Sequence, residues 1–401
     1  MNLLVVHEVN YLSKIIYEFQ ILPEILSLQG HQVTIVDFDD SWQQSPASQR
    51  IRFRTDVRTD VHRAYPSASV TLRRPGMVQF PVVSRISGAL LTGLELMRMF
   101  RNSQFDAVLL YGLPTVGIQT LIAARMAGVP VLFRSIDILH RLVPNRALVP
   151  ITRALEKVVY NSVPAISCVT PRLRQHVLSY GVPEDRVTVI PSGVDADMFS
   201  PGPGSKAFRA TWRIGSSDPV ALFMGTIYTF SGLDRVIRDW PALLDRHPGA
   251  RLLIVGVGAD EERLRRLATE TGLGDHVIFT GLQPYDKLPE IIRSVDVCIN
   301  PFELNDITRD ILPTKLFQYL ACGKPVLATE LPGTKPFLSG EEQGVVYTSL
   351  DEFTESLGDL FEDRDRSVRI GADGERSVRE KYDWRRIAED TVAWIGAHLR
   401  R

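Results

Sequence analysis

Cysteine is scarce in this sequence. Cys168, Cys298 and Cys322 are the only three in 401 residues, and none sits in a C-x-x-C pair. That excludes a disulfide framework and a cysteine-rich metal site, and it fits a reducing compartment. No run of 18 apolar residues occurs, and Met1–Val6 enters a strand-like segment without a basic stretch or a small-residue cleavage site, so neither a spanning helix nor a secretion signal is expected. The expected location is the cytoplasm. Net charge is −1, with 46 basic against 47 acidic residues, so bulk charge selects no partner. Aromatic-interleaved basic runs and zinc spacings are also missing, and no nucleic-acid partner is expected. Gly256-Val-Gly258 lacks the third glycine of a dinucleotide fingerprint, which speaks against NAD.

Charge is nevertheless uneven. Between Arg50 and Arg101 ten arginines meet three acids, and the same stretch carries the apolar run Gly88–Phe100. Such a pairing could rest peripherally on anionic lipid at the inner face of a membrane. The plainer alternative is a solvated arginine face beside a helix that buries its Leu/Met side.

What the sequence has is length and rhythm. A chain of 401 residues exceeds the size at which one core stops growing, so two domains of roughly 200 residues are expected. Short β-branched runs at 3–6, 33–36, 107–110, 129–133, 165–169 and 187–190 alternate with helix-period segments, and the rhythm restarts at 219–224, 251–255, 277–279, 295–299 and 325–328. This alternation predicts two parallel sheets wrapped by helices. The Pro- and Gly-rich stretch 191–204 reads as the boundary. Ligands of such sheets bind at the carboxyl ends of the strands.

The segment Asp310-Ile-Leu-Pro-Thr-Lys-Leu-Phe-Gln-Tyr-Leu-Ala-Cys-Gly-Lys-Pro-Val-Leu-Ala328 carries the strongest chemical signal. Pro313 sits where a helix can begin, and Thr314 and Lys315 fall in its first turn, where free N–H groups and a positive dipole end favour a phosphate. Asp310 could accept sugar hydroxyls, and Gln318 could reach a ribose.

This segment resembles the E-x7-E region of the family-4 retaining glycosyltransferases, in the variant P-x-K-L-x-E-Y-x-A-x-G-K-P-V. Ile190-Pro-Ser-Gly-Val-Asp-Ala-Asp-Met-Phe-Ser-Pro201 is similar to that family's linker I-P-N-G-V-D-x-x-x-F-x-P. Gly30–Val33, Gly281 and Tyr382-Asp-Trp384 match its first turn, its base-binding loop and the opening of its last helix. The resemblance implies the GT-B fold, an α/β arrangement of two doubly wound Rossmann-like domains facing across a cleft. It further implies an acceptor-binding domain at 1–195, a nucleotide-sugar-binding domain at 196–380, and a helix at 381–401 returning to the first. The implied reaction moves a hexose or other sugar from a nucleoside-diphosphate donor to a sugar, lipid-linked or small-molecule acceptor. Retention of configuration and the absence of any metal or further cofactor come with the resemblance.

Several positions depart from the family. Its two acids fall on Asp310 and Gln318, and the Arg and Lys of G-R-L-x-x-x-K-G become Thr226 and Ser231. A departing diphosphate needs preorganised positive charge or N–H groups. Lys315 and the first-turn amides are the candidates, backed by Arg309 and Arg235. The first-domain base region reads Phe133-Arg-Ser-Ile-Asp137, with Ile136 at the histidine position, so Asp137 is left to orient or deprotonate the acceptor. His7-Glu-Val-Asn-Tyr11 replaces the glycine-rich first loop. The catalytic candidates are thus Asp137, Lys315 and Asp310. Gly225, Thr226, Ser231, Gly281, Leu282, Arg309, Thr314, Leu316 and Gln318 are expected on the donor side, Tyr11 and Arg134 on the acceptor side. His7 and His140 read as structural histidines, and Asp37-Phe-Asp-Asp40 is expected to hold no metal. A non-catalytic nucleotide-sugar-binding relative, acting as a partner or regulatory subunit, is the competing reading, and it rests on Thr226 and Ser231.

Overall fold

The computed structural model describes residues 1–39, 50–80, 83–143 and 145–399. The chain divides into two compact units, Met1–Ser192 with Trp384–Arg401, and Gly193–Asp383.

The first unit runs β1 (Asn2–Val6), α1 (Glu18–Leu28), β2 (Gln32–Val36), β3 (Ile51–Arg52), β4 (Asp56–Val61), β5 (Val70–Arg74), β6 (Met77–Val78), α2 (Val83–Asn102), β7 (Ala107–Leu110), α3 (Gly117–Ala127), β8 (Val131–Ser135), α4 (Val149–Ser162), β9 (Ile166–Cys168), α5 (Pro171–Leu178) and β10 (Val187–Val189). Eight of these strands form one sheet in the order β10-β9-β8-β7-β1-β2-β5-β4, while β3 and β6 pair separately. The pairings are parallel except at the β4 edge. Strands covered on both faces read as unbroken apolar runs, and β1 and β7 do so.

Helix α1 starts only at Glu18, although apolar residues at helical spacing begin at Leu12. The Asn10 side-chain carbonyl accepts the N–H groups of Leu12 and Ser13 at 3.1 and 3.2 Å, which folds that stretch into a turn. Tyr17 then begins the helix, its N–H donating to Gln20 Oε1.

The second unit comprises α6 (Lys206–Thr211), β11 (Val220–Met224), α7 (Leu233–Arg246), β12 (Arg251–Val255), α8 (Glu261–Glu270), β13 (Val277–Gly281), α9 (Leu288–Arg293), β14 (Val297–Asn300), α10 (Lys315–Ala321), β15 (Val326–Ala328), β16 (Val345–Tyr347), α11 (Phe353–Glu362) and α12 (Arg364–Tyr382). Its sheet is parallel throughout, in the order β13-β12-β11-β14-β15-β16. The order of strands reverses between β11 and β14, the switch point beside whose carboxyl ends ligands of such sheets bind. Helix α7 shows why the layers form: Val236, Ile237, Trp240 and Leu243 recur on one face and join a core with Phe223, Leu252 and Ile254.

The chain passes from the first unit to the second before Gly193 and back after Asp383. Helix α13 (Trp384–His398) places Trp384, Ile387, Ala388 and Ile395 in the same core as Leu3, Val5, Leu22 and Ile35 of the first unit.

Candidate functional site

In the second unit, β11 ends at Met224, and Gly225 turns the chain with φ +131. A side chain on Gly256 would bring its Cβ 2.1 Å from the Gly225 carbonyl oxygen, and one on Gly258 would come equally near the Ile227 carbonyl oxygen. The loops after β11 and β12 therefore touch through backbone alone, and only glycine permits the approach. Beyond them, Gly256 donates its N–H to the Gly281 carbonyl at 2.9 Å. Gly281 has φ +68, and Leu282 after it is 62 % exposed.

Lys315 opens α10 beside this loop, its Cδ 3.8 Å from where a Cβ on Gly225 would lie. Its ammonium stands 3.6 Å from the centroid of Phe223, at the end of β11, and 4.4 Å from that of Phe302, just beyond β14. The residue keeps some exposed surface, yet its ammonium is desolvated, and burial pushes its pKa well below the usual lysine value. No carboxylate among the described residues pairs with it. Rings on both sides stabilise a cation only in part, and an ammonium so placed attracts an anion. Tyr319 fixes the geometry, its hydroxyl accepting the Met224 N–H at 2.7 Å.

Asp310 and Arg309 lie on the loop from β14 to α10. The Asn305 side chain accepts the N–H groups of Ile307 and Thr308 at 2.8 and 3.0 Å, and the Arg309 carbonyl accepts the N–H of Gly333 at 2.8 Å, so this loop is firmly built. Arg309 is exposed and 3.7 Å from Asp306. Gln318 is half-buried, its side chain against the Tyr285 hydroxyl. Thr226 and Thr314 are half-buried; Ser231 is buried.

Some expectations for this unit are corrected. The Leu316 side chain is core, and its N–H donates to the Pro313 carbonyl, as the Phe317 N–H does to Thr314. Those two amides are closed into the first turn and do not face a ligand. Arg235 is committed to Asp239 and Asp351, each at 2.8 Å, and does not serve as a reserve cation.

In the first unit, Asp137 follows β8. Burial and the nearby charge of Glu18 raise its pKa to about 6. Glu18 is wholly buried at the start of α1. It pairs with Arg134 Nε at 2.5 Å and accepts the Ser192 hydroxyl at 2.6 Å and that of Tyr111 at 3.3 Å. Arg134, expected on the acceptor side, is corrected by this geometry. It is fully buried, donating to the Ile190 carbonyl at 2.9 Å and towards that of Pro191 at 3.3 Å, so it ties β8 to the segment after β10. Tyr11 is corrected too. Its ring is in the core, its hydroxyl donates to Glu24 at 2.6 Å, and its N–H donates to Asp37 at 3.0 Å. Asp37 also binds Arg74, and Asp39 accepts from Asn10 and Gln79 at 3.0 Å, so protein donors meet both carboxylates. Asp40 lies outside the described residues.

Two residues were missed by sequence reasoning. Glu18 was hidden by its apolar helix context, although an acid in a first helical turn is a recognisable signal. Glu8 was read only as part of a loop lacking glycine. Its carboxylate accepts the N–H groups of Thr115 and Val116 at 2.6 and 3.0 Å, directly before α3, and pairs with Arg85 at 3.0 Å. Those amides are the natural anion position between β1 and β7, and the chain fills it with its own acid.

The chain as a whole is similar to known proteins. The family model described as Glycosyl transferases group 1 matches residues 205–377, and that of Glycosyltransferase Family 4 matches 24–198. A GDP-mannose-dependent alpha-(1-6)-phosphatidylinositol monomannoside mannosyltransferase of Mycobacterium tuberculosis is 29% identical over 270 residues, 66% of this chain and 69% of that one. Its namesake from Mycolicibacterium smegmatis is 30% identical over 252 residues, 61% of this chain and 66% of that protein. Among solved structures, a glycosyltransferase from Rickettsia africae superposes with TM-score 0.72 at 14% identity, covering 100% of this chain and 99% of the other. Anabaena HepE in complex with UDP-glucose gives 0.71 at 14%, covering 98% and 99%. The chain belongs to the group 1 glycosyltransferases of family-4 type and has the GT-B fold with two Rossmann-like units. It is accordingly a glycosyltransferase.

Proposed function

We propose that the second unit binds the nucleoside diphosphate of a sugar donor at the carboxyl ends of β11 and β14, and that the chain transfers the sugar, with retention of configuration and without a metal, to a hydroxyl of an acceptor held by the first unit. One observation carries this reading: the unpaired Lys315 ammonium against Phe223 and Phe302, beside Gly225. A diphosphate there would supply the missing counter-charge, and the charge that grows on it in the transition state would meet a cation already in place. Thr226 and Thr314 would add hydrogen bonds, Arg309 further charge, Asp310 contacts to sugar hydroxyls, and Gln318 with Tyr285 a grip on the ribose. Asp137 is the acceptor-side candidate, because a carboxyl titrating at about 6 can take a proton near neutral pH.

GDP-mannose, named for the mycobacterial relatives, is the first donor to try, and a phosphoinositide-linked sugar the first acceptor. A lipid-linked acceptor agrees with the surface of α2. Leu96 and Met99 face the core, but Ile86, Leu90 and Leu94 form an exposed stripe, and Phe53 is 69 % exposed. Arg54, Arg98 and Arg101 are exposed on the same stretch. No described helix is long and apolar enough to cross a membrane. The reading is therefore peripheral binding to an anionic bilayer on the cytoplasmic side.

The deciding experiment incubates the protein with UDP-, GDP-, ADP- and TDP-sugars, with and without lipid extract, and follows nucleoside diphosphate release. Release from one donor that rises with acceptor supports transfer. Tight nucleotide binding with no release from any donor would favour the non-catalytic reading, which rests on Thr226 and Ser231 alone.

A further inference from the structure

His140, Glu156 and His176 come from three separate parts of the first unit: the turn at 139–141 after β8, helix α4 and helix α5. One ligating atom of each lies within 4.8 Å of the others. His140 Nδ1 is 2.8 Å from Glu156 Oε2, and His176 Nε2 is 3.8 Å from the same oxygen. Glu156 is fully buried, its second oxygen accepting the His140 backbone N–H at 2.9 Å. The Tyr180 hydroxyl donates to Oε2 from a further side.

His176 Nε2 is the unexplained atom. It is buried and points at the carboxylate, and its 3.8 Å contact with Glu156 Oε2 is too long for a well-formed hydrogen bond. A buried ring nitrogen left in this way is unfavourable, and something other than the protein's own donors is suited to it. Two imidazoles and one carboxylate also make a donor set that borderline divalent metals favour.

We propose that His140 Nδ1, Glu156 Oε2 and His176 Nε2 bind one divalent transition-metal ion, best matched by zinc, which pins the 139–141 turn to α4 and α5. In a tetrahedral zinc site with bonds of about 2.0–2.1 Å, neighbouring ligand atoms stand about 3.3 Å apart. The present separations of 2.8 and 3.8 Å lie on either side of that value, so side-chain rotations of about half an ångström complete those two edges. Both imidazoles bind neutral, each carrying its proton on the ring nitrogen away from the ion, and the ion replaces the hydrogen bond between His140 and Glu156. Water or the Tyr180 hydroxyl takes the fourth position. The pinned turn begins two residues after Asp137, so the ion stiffens the segment that carries it. This site is separate from the donor chemistry, and its test needs no turnover.

The full chain, stripped with a chelator and dialysed, is titrated with zinc chloride while metal content and thermal unfolding are followed. Cobalt(II) serves as the spectroscopic probe. The expected result is one ion per chain, a rise in Tm on zinc addition, tetrahedral cobalt absorption, and binding at least about 100-fold weaker in His176→Ala. The proposal is overturned if the wild-type chain takes up no stoichiometric ion or shows no tetrahedral cobalt spectrum. It is equally overturned if His176→Ala binds zinc as tightly as the wild type. Should that variant fail to fold, the cobalt spectrum of the wild type decides alone, and His176→Gln supplies a partner-preserving comparison.

Discussion

Lys315 and Phe223 meet with the ammonium 3.6 Å from the ring centroid, and no described carboxylate stands opposite. Burying this amine without a counter-charge costs the ligand-free chain stability, whether it stays a desolvated ammonium or gives up its proton, and favours a bound anion, so its two effects can be separated. Lys315→Met is expected to raise the thermal stability of the free protein by about 0.5–2 kcal/mol while lowering turnover at least about tenfold, roughly 1.4 kcal/mol of transition-state stabilisation. Calorimetry and steady-state kinetics on the same preparation check both. Unchanged turnover would remove Lys315 from the reaction.

The same residue links nucleotide binding to protons. Burial holds the Lys315 pKa well below the usual value in the free chain, and a diphosphate beside it would raise that pKa. Between the two values the free lysine is neutral and the bound one charged, so nucleoside diphosphate binding should take up a proton. Titration calorimetry in buffers of different ionisation enthalpy measures the uptake, which Lys315→Met should abolish.

In the proposed reaction Asp137 sets the acidic limb of activity. With its carboxyl raised to about 6, the deprotonated form needed to accept a proton is lost as pH falls through that value. Activity should therefore decline below about pH 6 with a slope of one, and Asp137→Asn should lower kcat by about 10²–10⁴-fold without weakening nucleotide binding. A profile flat from pH 5 to 8 would exclude this role.

Arg134 is a structural residue, and its loss should be read in stability. Arg134→Ala removes the basic partner of the buried Glu18, and breaking a buried ion pair from one side costs about 3–5 kcal/mol. Chemical denaturation gives the figure, and a variant as stable as the wild type but with weakened acceptor binding would reverse the assignment.

Gly256 and the exposed apolar stripe of α2 give two geometric tests. Gly256→Ala puts a methyl 2.1 Å from the Gly225 carbonyl oxygen and should displace the loop, weakening nucleotide binding at least tenfold, about 1.4 kcal/mol. Triple substitution of Ile86, Leu90 and Leu94 by Ser should abolish co-sedimentation with anionic vesicles and leave soluble-acceptor activity in place.

The alternation of strand and helix was readable because a buried parallel strand must be an unbroken apolar run, and β11 and β12 are such runs. The position of Lys315 was readable for a different reason: Pro313 and Gly323 bracket a short helix in a recognisable block. What could not be read is whatever depends on partners distant in sequence. Arg134 and Asp137 stand three residues apart in one strand end, and only the fold shows that the first meets Glu18, 116 residues away, and turns inward. Tyr11 is alike, since nothing local reveals Glu24 beneath its hydroxyl. The edge strand β4 escaped because Asp56, Arg58, Thr59 and Asp60 fill most of it, and an exposed antiparallel edge tolerates such residues. Helix α2 divided the two readings of its apolar face, burying Leu96 and Met99 and exposing Leu90 and Leu94.

Helix α13 has a consequence for how the protein is made. Trp384, Ile387 and Ile395 complete the core of the first unit, yet they are synthesised after the whole of the second. A chain emerging from the ribosome can finish its second unit while the first still lacks one wall of its interior. The core of the first unit can close fully only once the second has been translated, which leaves the apolar surface that α13 covers around Leu22 and Ile25 open for the time it takes to translate about 190 residues.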